Sequence, residues 1–367
     1  MLDKIIGLFH EKIAAGVYEP SNAPYRSRWF CVPKKNGKLR LVHDLQPLNQ
    51  VTIKNAAILP LVEQFAESFA GQACFSLLDL FVGYDHRALA VESRNLTTFQ
   101  SPLGALRNTS LPQGWTSSVP IFHGDVSFIL EPEIPHVAKP FVDDCGVCGP
   151  ATRYETADGG FEVIPDNPGI RRFVWEHLSD VHRVMHRLGH AGATISAPKL
   201  FICIPEVVIL GHKCTYDGRL PDDLKVAKIR NWAACENPTE VRAFLGTCGT
   251  MSIWIPHYSE LTHPLNDLLR KDVEFQWMEV HASAMQNLKN AVCCSPALRS
   301  LDYQCGREVI LAVDSSYIAV GWILYQLGED SIHYPSRFGS IAWNERKSRY
   351  SQPKIELYGL FRALRAL

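Results

Sequence analysis

Apolar and polar positions follow two rhythms along this chain. In "MLDKIIGLFHEKIAAGVYEP", Ile5, Ile6, Phe9 and Ile13 recur at helical spacing, which predicts one apolar face ending near Gly16. Asp3, Glu11 and Lys12 interrupt that face, so the segment does not read as a secretion signal. The period then shortens to two on either side of "KNGK" (35–38), which predicts a hairpin closed by an Asn-Gly turn. "CFSLLDL" (74–80) has the character of a buried strand, and "TTFQSPLGALR" (97–107) reads as two short strands broken at Pro-Leu-Gly. "WTSSVPIFHGDVSFIL" (115–130) has helical spacing with Pro120 near its first turn. "HVAKPFV" and "CGVC" read as short strands flanking two adjacent aspartates.

Residues 150–170, rich in Gly, Pro and Asp, predict an exposed loop. A long amphipathic helix follows at 171–192, ended by Gly189 and Gly192. "KLFICIPEVVILGHKCTYDG" predicts two strands closing on Tyr-Asp-Gly. The composition changes at 231–241, where Thr239 is the expected cap of a new helix, and residues 240 to 296 read as mainly helical. A strand pair at 307–326 and the helix "KIELYGLFRALRAL" complete the chain. The last helix has no C-cap, from which an incomplete final domain is expected.

Composition narrows the class. At 367 residues, 46% hydrophobic and 20% charged, the chain has the balance of a multidomain globular protein, with no apolar run of membrane-spanning length. Eleven cysteines scattered over such a length fit reduced thiols and an intracellular setting. The net charge of −1 excludes nothing, because a local basic stripe suffices to hold phosphates. Such a stripe runs from Pro24 to His43 with Arg26, Arg28, Lys34, Lys35, Lys38 and Arg40 and no carboxylate before Asp44. Taken alone it reads first as a solvated hairpin, since charge runs are usually surface.

The chemistry concentrates in "FVDD". Neighbouring side chains on a regular strand point to opposite faces, so Asp143 and Asp144 can serve one site only across a tight turn. Asp79 ends the apolar strand, where an ionised carboxylate is expensive unless a positive charge meets it. Hard divalent cations would supply that charge, and two of them could activate a hydroxyl and stabilise a leaving oxygen in phosphoryl transfer. An Asp pair also arises in turns through backbone hydrogen bonds, so "VDD" alone leaves both readings open.

Six ordered blocks decide between them: "VPKKNGKLRLVHDLQPLN", "FSLLDLFVGYDHRAL", "TTFQSPLGALRNTSLPQGW", "FVDD", "VVILGHKCTYDGRLPDDLKVAKIRNW" and "VRAFLGTCG". In order and spacing they resemble the reverse transcriptase of gypsy-type long-terminal-repeat retrotransposons, almost end to end. The resemblance implies an α+β multidomain fold: a right-hand polymerase of fingers, palm and thumb, then a truncated ribonuclease H-like α/β domain. The corresponding boundaries are a leading helix at 1–20, fingers and palm at 21–232, a helical thumb and connection at 233–300, and the ribonuclease H-like part at 301–367. It implies RNA-directed DNA polymerase activity with two Mg²⁺ or Mn²⁺ ions held by Asp79, Asp143 and Asp144. Lys34 or Lys35, with Arg40, would hold the incoming triphosphate, and Gln113 with Gly114 would touch nucleotide or template. Tyr84 is similar to the steric gate that selects deoxynucleotides, and "ILGHK", with Leu210, Gly211 and His212, to the primer grip. Asp314 and Glu356 match the first two metal ligands of ribonuclease H, too few for hydrolysis by this chain alone. The implied partners are an RNA or DNA template with primer, deoxynucleoside triphosphates, and a parent polyprotein with protease and integrase; no membrane is implied. The rival expectation is a catalytically inactive remnant that at most binds nucleic acid.

Two further patterns stand outside this constellation. His182, His186 and His190 fall four apart on one helix, which is metal-ligand spacing, but no Cys or carboxylate partner is evident and the arginines between them suggest a polar face. Cys145 and Cys148 form a CxxC without a second pair, which favours packing.

Overall fold

Pairing around the strand Phe75–Asp79 organises the first of two units into which the chain divides, Met1–Leu61 with Cys74–Ile204; the second is Val62–Ala73 with Pro205–Leu367. The computed structural model describes residues 2–33, 37, 39–56, 59–271 and 273–367. Lys34, Lys35 and most of the expected "KNGK" turn lie outside the described residues. The expected palm boundary near 232 falls within the second unit. Strands and helices mix throughout in several small sheets, which is the expected α+β class.

In the first unit, Phe75–Asp79 is a central strand of a four-stranded antiparallel sheet, between Phe201–Ile204 and Asp144–Cys148, with Ala138–Phe141 outermost. Pro140 is tolerated because its strand lies at the sheet's edge, where no ladder donor is missed. Leu78, Cys145 and Val147 are fully buried with Phe122 and Val126 of the helix Ser118–Ile129 and with Val181, Val184 and Leu188 of the helix Arg172–His190. Burial of this apolar set is the main force holding the sheet to its helices. The helix Leu2–Ala14 uses its apolar face as expected, with Phe9 packed on Tyr18, Trp29 and Phe99. The hairpin Arg28–Pro33 with Leu39–Asp44 pairs in antiparallel register, Arg40 opposite Val32.

Several expectations need correction. The stretch 150–170 is not simply a loop: Val163–Ile164 pairs with Asn167–Arg171. The long helix runs through Gly189 to His190 and is ended by Gly192 alone, whose positive φ of 77° is the left-handed conformation that glycine adopts at helix ends. Residues 199–218 do not form just two strands. Phe201–Ile204 joins the first unit's sheet, while Glu206–Ile209 and His212–Thr215 belong to a meander continued by Gly218–Pro221. The new helix is capped by Asn237 rather than Thr239: the Asn237 side chain accepts from the Glu240 amide at 3.0 Å, and Pro238 takes the first helical position.

In the second unit, three helices, Pro238–Gly249, Tyr258–Asp267 and Glu279–Cys293, surround a core with buried Trp254, Phe244 and Leu288. The expected strand pair, Val309–Ser315 with Ala319–Leu327, gains an unforeseen third strand, His333–Ala342. The helix Gln352–Ala366 packs on this sheet through Gly359, where an added Cβ would come within 2.1 Å of Ser315 Oγ and 3.1 Å of Val320 Cγ2. Gly359→Ala is therefore expected to destabilise the chain by about 1–3 kcal/mol through overpacking, despite alanine's better helix propensity. Denaturant unfolding checks this, and a variant as stable as the parent would contradict the close approach.

Candidate functional site

The first unit's sheet brings the three aspartates of the sequence analysis to one end. Asp79 and Asp144 are direct register partners across the central strand pair. Phe141 pairs with Asp144, so Val142 and Asp143 form a two-residue turn, and Val142 takes a positive φ of 60°. A β-branched residue rarely adopts that conformation, and the strained turn is what removes the strand constraint on Asp143. The Asp143 carbonyl accepts the Leu80 amide at 2.9 Å, tying the turn to the residue after Asp79.

Asp79 is 8% exposed, and its Oδ2 accepts from Lys199 Nζ at 2.6 Å. The hydrogen bond to Asp79 raises the Lys199 pKa despite partial desolvation, and the charges of Asp79, Asp143 and Asp144 act the same way. Lys199 arrives because the Ser196 amide donates to the Asp79 carbonyl at 2.9 Å and the turn Ala197–Lys199 follows. Asp144 has its carboxyl pushed above the ordinary value, first by burial, then by Asp143 and Asp79, with Lys199 opposing. Sequence reasoning missed Lys199, which lies 120 residues from Asp79 with no charge pattern around it.

Three carboxylates offer only hard oxygen donors, the set that suits Mg²⁺ or Mn²⁺, and the excess negative charge felt by Asp144 is what a cation would relieve. No three His, Cys, Asp or Glu side chains among the described residues stand close enough to hold a metal ion, and Lys199 occupies the Asp79 carboxylate. The donor chemistry fits, and ligation requires Lys199 to release Asp79. Its side chain is 64% exposed.

Tyr84 follows the left-handed Val82 (φ 47°) and packs on Phe122 with ring centroids 4.9 Å apart. Burial and then the Asp143 charge push its hydroxyl up to about 12. Gly83 permits this packing, since a Cβ there would sit 2.3 Å from Phe122 Cζ. Gly114 (φ 99°) and exposed Gln113 lie in a loop bound to the residues after the hairpin: Asn49 Nδ2 donates to the Gly114 carbonyl at 2.9 Å and Asn49 Oδ1 accepts the Thr116 amide at 2.9 Å. Arg40 is exposed on that hairpin.

The remaining expected residues belong to the second unit. Leu210 and Gly211 form the turn between Glu206–Ile209 and His212–Thr215, both with positive φ. His212 points inward, 6% exposed, against the Trp254 ring, and burial with the Arg219 and Lys225 charges lowers its pKa to about 4. Asp314 pairs with Gly321 near the end of its strand. Gln352 Nε2 donates both to the Ser315 carbonyl at 3.2 Å and to Glu356 Oε1 at 2.5 Å, which holds Glu356 to the end of the Asp314 strand.

Comparisons bear on these geometries. Residues 277–367 match the family described as an RNase H-like domain found in reverse transcriptase. The Tf2-3 and Tf2-7 transposon polyproteins of Schizosaccharomyces pombe are each 28% identical to the chain over 97% of its length. The chain spans 25% of the length of those polyproteins. Among solved structures, a foamy viral protease-reverse transcriptase in complex with double-stranded DNA is similar over 99% of this chain and 59% of its own, with TM-score 0.84 and 21% identity. The same kind of protein in complex with an RNA/DNA hybrid has TM-score 0.79 and 20% identity over 99% of this chain and 46% of its own. The resemblance to the reverse transcriptase and ribonuclease H-like region of gypsy-type retrotransposon polyproteins is thereby shown, and the fold is shared with the foamy viral proteins. No helix among the described residues is long and apolar enough to cross a membrane.

The raised Asp144 carboxyl has a consequence for stability. A folded-state pKa above the unfolded one means that the fold holds the proton more tightly. Stability is then lost as pH rises from the ordinary value of 3.8 through the raised one, and the loss is complete at neutral pH. Asp144→Asn removes it, so the melting temperature at pH 7 should rise by up to about 2 °C, small because the carboxylate is partly exposed. The gain should vanish below pH 3.8. A melting temperature at pH 7 equal to or below the parent's would contradict the repulsion.

Proposed function

We propose that this chain is the RNA-directed DNA polymerase segment of a retrotransposon polyprotein, with Asp79, Asp143 and Asp144 as its catalytic carboxylates. The observation that carries the reading is the register pairing of Asp79 with Asp144 beside the strained Val142–Asp143 turn. No packing need favours three carboxylates at the end of a buried sheet, and like charges directly opposite in a sheet are destabilising.

The reaction is attack of a primer 3′-hydroxyl on the α-phosphorus of a deoxynucleoside triphosphate, with release of pyrophosphate. Two Mg²⁺ or Mn²⁺ ions, when bound, would lower the pKa of the attacking hydroxyl and stabilise charge on the leaving oxygen. Asp79 and Asp143 would hold them, with Asp144 in support. Lys199 would have to leave Asp79 for the ions to bind. Arg40, with Lys34 or Lys35, would grip the triphosphate, where a planar guanidinium and a point-charge ammonium suit phosphate oxygens. Tyr84, which packs on Phe122, would act as the wall that excludes a 2′-hydroxyl. The Leu210–Gly211 turn, with Leu210 exposed, would serve as primer grip, with buried His212 as its internal support. In this reading, residues 21–232 act as fingers and palm, 233–300 as thumb and connection, and 301–367 as the ribonuclease H-like part.

One observation favours a second reading, a catalytically inactive relative that at most binds nucleic acid. Lys199 already neutralises Asp79, and a chain that never releases it would fold stably without cations. Primer extension on an RNA template with Mg²⁺ or Mn²⁺ separates the two. The parent should incorporate deoxynucleotides, and Asp79→Asn or Asp143→Asn should lower the rate by at least about 10³-fold. Primer–template affinity, measured by fluorescence anisotropy, should survive these substitutions and fall steeply with salt. Tight primer–template binding with no incorporation by the parent would establish the inactive reading.

A further inference from the structure

We propose that the last turn of the helix Arg172–His190 is a binding site for a divalent first-row transition-metal ion, ligated by the imidazoles of His186 and His190. This site goes beyond the polymerase reading and does not rest on it.

Residues four apart on a helix stand one above the other on the same face. Here the spacing becomes convergence: His186 Nε2 and His190 Nε2 lie 3.1 Å apart, with ring centroids 4.3 Å apart and planes at 69°. An ion at the usual imidazole–metal distance of about 2.0–2.1 Å from both nitrogens would subtend a bite angle of roughly 100° at that separation. That value lies between the square or octahedral angle and the tetrahedral one, so the separation of the two nitrogens suits chelation. Without an ion, one ring must lend its Nε2 proton to the other in a hydrogen bond. With an ion, both nitrogens offer lone pairs, and each ring carries its proton on Nδ1.

The surroundings remove the obvious objection, which is the cationic neighbours. Arg187 Nε lies 3.1 Å from Glu133 Oε1, and Arg183 bonds both Glu133 Oε2 at 3.1 Å and Asp180 Oδ1 at 2.7 Å. Two carboxylates thus offset two guanidinium charges. Burial would raise the Glu133 pKa, but the arginine hydrogen bonds and charges hold it below the ordinary carboxylate value, so it stays locked to them. The helix ends at His190, and the partial negative charge of a helix C-terminus favours an added cation there. Both histidines are exposed and border a cleft of about 700 Å³ that leaves room for water on the open side of the ion. No third protein ligand completes the set among the described residues, so water fills the remaining positions. His182 lies one turn further, its ring 6.1 Å from that of His186, beyond the bite. Imidazole pairs prefer Cu²⁺, Ni²⁺ and Zn²⁺ to Mg²⁺, which sets this site apart from the hard carboxylates around Asp79.

Titration of the full chain with Ni²⁺ alone, in magnesium-free buffer and followed by calorimetry, tests the assignment; Ni²⁺ limits competition from the thiols. The parent should bind one Ni²⁺. His186→Gln and His190→Gln should each weaken binding by about tenfold or more, whereas His182→Gln should leave it within about twofold. Melting temperatures in chelator should match for all four proteins, since the exchanged side chains are exposed. A parent that takes up no Ni²⁺ at millimolar concentration would overturn the proposal. So would His186→Gln and His190→Gln variants that bind as the parent does, or a His182→Gln variant that loses as much as they do.

Discussion

The candidate site rests on one pairing, Asp79 directly across from Asp144 in neighbouring antiparallel strands. Left to themselves, two carboxylates so placed repel and weaken the sheet. The register cannot slip to separate them, because a one-residue shift would turn the buried Leu78 and Cys145 outward. The apolar core behind the strands therefore enforces a concentration of negative charge at their ends. Asp143 adds to it across the two-residue turn, and Lys199 offsets it from a segment held to Asp79 by a backbone hydrogen bond. Packing energy from the interior is stored as electrostatic demand at the surface, and a cation of some kind must answer it.

The contrast between the ammonium and a divalent ion decides what the site can do. Lys199 meets one carboxylate at hydrogen-bond distance and the others only through space. Divalent ions would draw all three inward, which a single exposed ammonium on a flexible stem does not accomplish. In the proposed reading the ion-bound state is the working form, and the Lys199 pair is its resting counterpart. The His186–His190 pair is the opposite kind of device, nitrogen ligands on a solvated helix end.

Much of this was legible in the letters. The apolar run before Asp79 and the short strands around "FVDD" carry their own periodicity, and each became a strand of the sheet. The turn's geometry was not legible, because a valine at positive φ contradicts its local preference and is imposed by the strands it joins. Lys199 was hidden for a different reason: an ion pair spanning 120 residues leaves no local mark. At the helix after 236, Asn237 and Thr239 both belong to the capping class. The deciding signal was Pro238, which fits the first helical position and makes its predecessor the cap. Gly189 and Gly192 are alike as residues and differ only in position, since the left-handed turn comes where the chain leaves the helix. Roles for single residues, such as Arg40, Tyr84 or Gln113, came from resemblance, and geometry adds their surroundings without assigning their tasks.

Anomalous diffraction from crystals of this chain grown with saturating Mn²⁺ tests the central claim most directly. The account predicts Mn²⁺ peaks within about 2.5 Å of carboxylate oxygens from Asp79 and Asp143, with Lys199 Nζ displaced from Asp79. Lys199 still seated on Asp79, with no Mn²⁺ at the three aspartates, would contradict it.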